Sequence, residues 1–95
     1  MTFRSNIKNY KIKFTPSAEK TLLKLDDQTA QKIQKKLIAL VSGTENLNIK
    51  KMKGSSNPPQ YRLKSGDYRI IYEIHHEIIT ILVIKVGHRR EIYEK

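Results

Sequence analysis

Apolar residues along this chain recur at two spacings, and the change from one to the other divides it into a helical and a stranded part. Tyr10-Lys-Ile-Lys-Phe14 alternates apolar and basic residues, the period of a half-buried strand. Thr15 then reads as a helix N-cap, with Pro16 at the first helical position, where its missing N–H costs nothing. Ala18, Leu22 and Leu25 fall on one face of that helix. Asp26 or Asp27 caps a second one, in which Ala30, Ile33, Leu37, Leu40 and Val41 follow steps of mostly three and four residues up to Gly43. The short join predicts an antiparallel helix pair. Residues 44–60 are polar and read as a loop, long enough in so small a chain to be functional or mobile. Tyr61–Leu63, Tyr68–Ile74 and Ile78–Val86 read as three strands, joined by turns at Ser65-Gly66-Asp67 and His75-His76-Glu77. Strands joined this tightly are antiparallel neighbours. The last two are apolar on both faces, so both faces of the sheet are covered. The expected fold is α+β, two N-terminal helices packed on an antiparallel β-sheet, one domain over residues 1–95 with a flexible leader at 1–9.

Charge changes the picture more than composition does. Nineteen lysines and arginines stand against nine acids, a formal charge of +10, which attracts polyanions and points to a nucleic acid or an acidic protein as partner. A membrane-surface protein needs a long cationic amphipathic helix, and none is present. Without cysteine, disulfides and thiolate metal sites are excluded. There is no signal-like apolar segment and no run of about 18 apolar residues, so the chain is expected in the cytoplasm and away from membranes.

Two segments concentrate chemistry. If Ser65-Gly66 is the hairpin turn, Lys64 faces Asp67, Leu63 faces Tyr68, and Arg62 faces Arg69. Opposed arginines on one sheet face are destabilising unless an anion lies between them; splaying into solvent is the equally good structural alternative. After the last strand, Gly87 lets the chain turn off the sheet into His88-Arg89-Arg90, which can also be no more than a solvated basic end. Tyr93 can equally be a packing residue. No spacing of His, Asp and Glu resembles a metal site, and no phosphate loop, nucleophile arrangement or carboxylate pair occurs. Arginine, lysine, tyrosine and one histidine suit the holding of phosphate and the stabilisation of charge on a transferring phosphoryl group.

The ordered pair Tyr61-Arg-Leu-Lys-Ser-Gly-Asp-Tyr-Arg69 and Val86-Gly-His-Arg-Arg-Glu-Ile-Tyr93 closely resembles the RelE branch of the RelE/ParE toxin superfamily, over nearly the whole chain. The resemblance implies a fold similar to small microbial ribonucleases and a toxin–antitoxin setting. It further implies cleavage of mRNA in the ribosomal A site without metal or other cofactor. By it, Arg69 and Arg89 correspond to phosphate-stabilising arginines, Arg62 to a basic strand position serving the same site, and Tyr93 to a tyrosine that stacks on a base or orients substrate. Lys50, Lys51, Lys53, Lys64 and Arg90 are assigned to RNA or ribosome contact, with a solvated loop the alternative for Lys51 and Lys53. The implied partners are an acidic, RelB-like cognate antitoxin, the ribosome and mRNA. Some relatives carry two lysines where this chain has Gln60 and Arg62, and arginine is a poor base. His88 is therefore a candidate for proton transfer, against the alternatives that it binds RNA or caps the turn. Two rival functions remain: a ParE-type DNA gyrase inhibitor that is not catalytic, and an RNA- or ribosome-binding module.

Overall fold

Thr15 and Asp26 begin the helices as their side chains predict. In the computed structural model, which describes residues 7–43, 47–52 and 58–92, strand β1 (Lys11–Phe14) runs through Thr15 into helix α1 (Pro16–Lys24). The Ala18 N–H donates to Thr15 Oγ1 at 3.2 Å. That hydroxyl donates in turn to the Ile84 carbonyl at 3.0 Å, pinning the helix start to the sheet. Helix α2 (Asp27–Ser42) is capped by Asp26, whose carboxylate accepts from the Thr29 hydroxyl at 2.7 Å and the Thr29 N–H at 3.2 Å. Those bonds, the hydroxyl's first, hold the Asp26 carboxyl below its ordinary value. The cap is thus strongest above the usual carboxylate range and weakens as pH falls through it. Gly43 ends α2 at φ 68°, the left-handed conformation of a glycine stop.

The strands β2 (Ile49–Lys51), β3 (Gln60–Ser65), β4 (Tyr68–His75) and β5 (Thr80–His88) join β1 in one sheet of order β1-β5-β4-β3-β2. The expected α+β class holds, with one change: β1 lies parallel to β5, while every other pairing is antiparallel. One face of the sheet carries the helices. Ala18 of α1 and Ile33, Leu37 and Leu40 of α2 pack with Leu63, Ile70, Tyr72, Ile81 and Val83, all essentially inaccessible to water.

Several expectations are corrected. Ile7 has 0% exposure and the Asn9 N–H donates to the Val41 carbonyl at 2.8 Å, so residues 7–9 belong to the folded body rather than to a leader; residues 1–6 lie outside the described residues. The polar 44–60 segment contains β2, three residues long and too short to show a period. The last strand begins at Thr80, not Ile78: Ile78 and Ile79 occupy the turn, 61% and 54% exposed. Ile79 there takes φ 50°, a conformation that strains a β-branched residue. That strand also runs on to His88, so Gly87 lies within it instead of turning off the sheet.

Candidate nucleic-acid interface

The β3–β4 turn is Gly66-Asp67, one step later than expected. Gly66 takes φ 58°, which a hairpin turn of the II′ type asks of its first position. Shifting a two-residue turn by one position moves every cross-strand partner by two and leaves each side chain on its own face. Ser65 therefore pairs with Tyr68, Leu63 with Ile70, Lys64 with Arg69, and Arg62 with Ile71. Arg62 does not face Arg69, and Lys64 does not face Asp67. The like-charge opposition persists with Lys64 in place of Arg62.

Register across the sheet sets out the face opposite the helices row by row. One row runs Lys64, Arg69, Gly87; the next runs Lys50, Arg62, Ile71, Lys85. Rows two residues apart are separated by about 7 Å along the strands, and neighbouring strands by about 4.8 Å. Five cations thus stand in two adjacent rows, including two directly opposed like-charge pairs, Lys64 with Arg69 and Lys50 with Arg62. Each such opposition is destabilising in isolation, and a bound anion converts it into an attraction. Lys85 was not anticipated, because its face is fixed by a register shift between Ile71 and Tyr72 that nothing in the sequence marks. Lys51 pairs with Tyr61 and by strand alternation lies on the other face from Lys50.

Arg69 is only 8% exposed, and its Nη1 donates to the carbonyls of Gly66 and Tyr68, both at 3.0 Å, so the guanidinium is built into the turn. Arg89 comes to the same end of the sheet from β5. Its backbone N–H donates to the Asp67 carbonyl at 2.7 Å, and its Nε lies 3.8 Å from Asp67 Oδ1. Both side chains of that pair are more than half exposed, so Arg89 remains reachable by a solvent-borne ligand. Arg62 is half-buried on the shared face. His88 pairs with Tyr68, its ring edge-on to the tyrosine at 5.5 Å, and its Nδ1 accepts the Arg90 N–H at 3.2 Å. Arg90 is exposed. Tyr93 and Lys53 lie outside the described residues. Among the described residues no group of three or more His, Cys, Asp or Glu could hold a metal ion, and no helix is long and apolar enough to cross a membrane.

The parts Asp67 and Glu91 play here are new: the sequence offered Asp67 only as a turn residue and as the partner of Lys64. Asp67 supplies the carbonyl that anchors Arg89, and the Glu91 Oε1 accepts the His88 N–H at 3.1 Å. The only signal was their place inside the two motifs, since acids beside a basic cluster read as simple charge balance. Gly87 is what lets this turn fold back. A Cβ there would sit 3.1 Å from Ile92 Cδ1 and Cγ1 and 3.4 Å from Glu91 Oε1. Gly87→Ala is therefore expected to cost about 1–3 kcal/mol by overpacking. A denaturant titration reads this directly, and an unchanged midpoint would show that Ile92 gives way freely.

A five-stranded sheet under two helices, with a cationic face at the β3–β4 turn, defines the class. The family described as the ParE toxin of the type II toxin–antitoxin system, parDE, matches residues 12–93, and the chain belongs to it. The RelE-type character expected from the two motifs is borne out by its relatives. The mRNA interferase toxin RelE of Escherichia coli (strain K12) is 27% identical over 88 residues, covering 90% of this chain and 92% of that protein. The RelB–RelE antitoxin–toxin complex of Methanococcus jannaschii matches with a TM-score of 0.68 at 28% identity, over 85% of this chain and 94% of that one. The archaeal RelE–RelB complex of Pyrococcus horikoshii OT3 has the same fold, with a TM-score of 0.68 at 23% identity over 87% and 98%.

Proposed function

We propose that this RelE-type toxin is an endoribonuclease that enters the ribosomal A site and cleaves mRNA there without a metal. The observation that carries the reading is the pair of opposed cation couples, Lys64 with Arg69 and Lys50 with Arg62, at the end of the sheet where Arg89 is anchored. Such an arrangement is stabilised by a phosphodiester lying across it. In the reaction the RNA 2′-oxygen bonds to the adjacent phosphorus, the P–O5′ bond breaks, and the 2′-hydroxyl proton ends on O5′. A 2′,3′-cyclic phosphate and a 5′-hydroxyl result. Arg69, Arg89 and Arg62 stabilise the charge that collects on the phosphorane, the task a metal ion performs elsewhere. Tyr93 stacks on a base or orients the substrate, and Lys50, Lys51, Lys53, Lys64 and Arg90 hold RNA or ribosome. The E. coli relative's name, mRNA interferase, supports the same activity. The RelB–RelE complexes support a cognate antitoxin, for which an acidic chain suits a +10 toxin. The place of action is the cytoplasm.

The matching family's description favours a second reading, a ParE-type inhibitor of DNA gyrase. Primer extension on messages from cells expressing the protein separates the two. Cuts spaced by codons, with 5′-hydroxyl ends, are expected. Intact messages together with DNA damage would favour the gyrase reading instead.

A further inference from the structure

The turn after β5 is held by side chains on both sides of Arg89. The Glu91 and Ile92 N–H groups donate to the His88 carbonyl at 2.7 and 3.2 Å, closing the turn. The Glu91 carboxylate accepts the His88 N–H, and His88 Nδ1 accepts the Arg90 N–H at 3.2 Å. The Arg89 N–H itself goes to Asp67. Every backbone amide from His88 to Ile92 is thereby satisfied, and one of those bonds depends on an unprotonated imidazole nitrogen.

We propose that His88 is a positioning residue, whose imidazole caps the Arg90 amide and so fixes the turn that presents Arg89. The proposal rests on the ribonuclease reading and assigns His88 a part distinct from proton transfer. A neutral imidazole carries one N–H. With Nδ1 accepting from Arg90, the proton sits on Nε2, which then has no lone pair to take a proton from a 2′-hydroxyl. To act as a base at Nε2 the ring must move its proton to Nδ1, where it would point at the Arg90 N–H. The cap and the base exclude each other. Protonating the ring likewise turns Nδ1 into a donor and breaks the cap. Among the described residues, Arg89, Arg90 and Glu91 follow His88 along the chain, Asp67 and Arg69 flank Tyr68 on the facing hairpin, and the Tyr68 ring lies edge-on to the imidazole at 5.5 Å.

Two substitutions separate the roles, because an asparagine amide oxygen reaches the place of Nδ1 and a glutamine side chain the place of Nε2. His88→Gln is expected to slow cleavage on programmed ribosomes about tenfold, the worth of one lost cap bond transmitted to the site. His88→Asn should recover most of that loss. Equal slowing by both variants would overturn the proposal. A readout independent of RNA is the Arg90 amide proton in a 1H–15N spectrum. It should shift in His88→Gln, which loses the acceptor, and stay near its wild-type place in His88→Asn; an Arg90 amide unmoved by His88→Gln would also overturn the cap. Should the wild type cut no message at all, the ribonuclease reading fails while the spectrum still decides the cap.

Discussion

Arg89→Ala is expected to slow message cleavage by on the order of 10²–10³-fold, the usual cost of removing one preorganised donor from a developing oxyanion. Its melting temperature should barely move. Arg89 and Asp67 are 57% and 67% exposed and 3.8 Å apart. A solvent-screened pair of that kind contributes about 0–1 kcal/mol. The Arg89 backbone N–H keeps its bond to Asp67 whatever the side chain, so the turn survives the change. Single-turnover cleavage and a thermal melt on the same preparation check both halves. A slow enzyme with an unaltered melt is the expected pair; a full-rate Arg89→Ala would remove Arg89 from the site. Arg69→Ala is a less clean experiment, because the Arg69 guanidinium also ties Gly66 and Tyr68 together.

The largest stability effect belongs to the strand that carries Arg69. Ile70 is wholly buried between Leu63 and Val86 in the middle of the sheet. Ile70→Ala should cost about 2–5 kcal/mol, the transfer of the lost methyl groups plus a cavity the rigid sheet cannot close. A domain of this size has about 5–15 kcal/mol to lose, so the variant is expected to be folded at low temperature and largely unfolded well before the wild type. A urea titration with an unchanged slope and a much lower midpoint would show it. A loss under about 1 kcal/mol would mean that the core repacks around the gap.

What the sequence shows and what it hides follow from the range of the forces involved. Thr15, Pro16, Asp26 and Gly43 act on backbone groups within four residues, so the helix limits were legible to within one position. The hairpin register was not, since Ser65-Gly66 and Gly66-Asp67 both make acceptable two-residue turns. In the folded sheet Leu63 pairs with Ile70, the register of the Gly66-Asp67 turn. The parallel seating of β1 on β5 joins residues some seventy positions apart and leaves no local mark. Ile78 and Ile79 misled in the other direction: two apolar residues read as the start of a strand, yet they sit exposed in the turn. At the site, the one-step slip kept every cation on its face. A positive sheet end was therefore foreseeable even though the partner of Arg69 was Lys64 rather than Arg62. Lys85, Asp67 and Glu91 were beyond reach, because their contributions depend on a bulge, a carbonyl and a carboxylate cap that only the folded backbone brings together.

The most direct test of the account supplies purified protein to ribosomes stalled on a defined message with an empty A site. A single cut within the A-site codon is expected, leaving a 2′,3′-cyclic phosphate upstream and a 5′-hydroxyl downstream. A message that stays whole while the protein occupies the ribosome, or fragments that end in a 3′-hydroxyl and a 5′-phosphate, would contradict it.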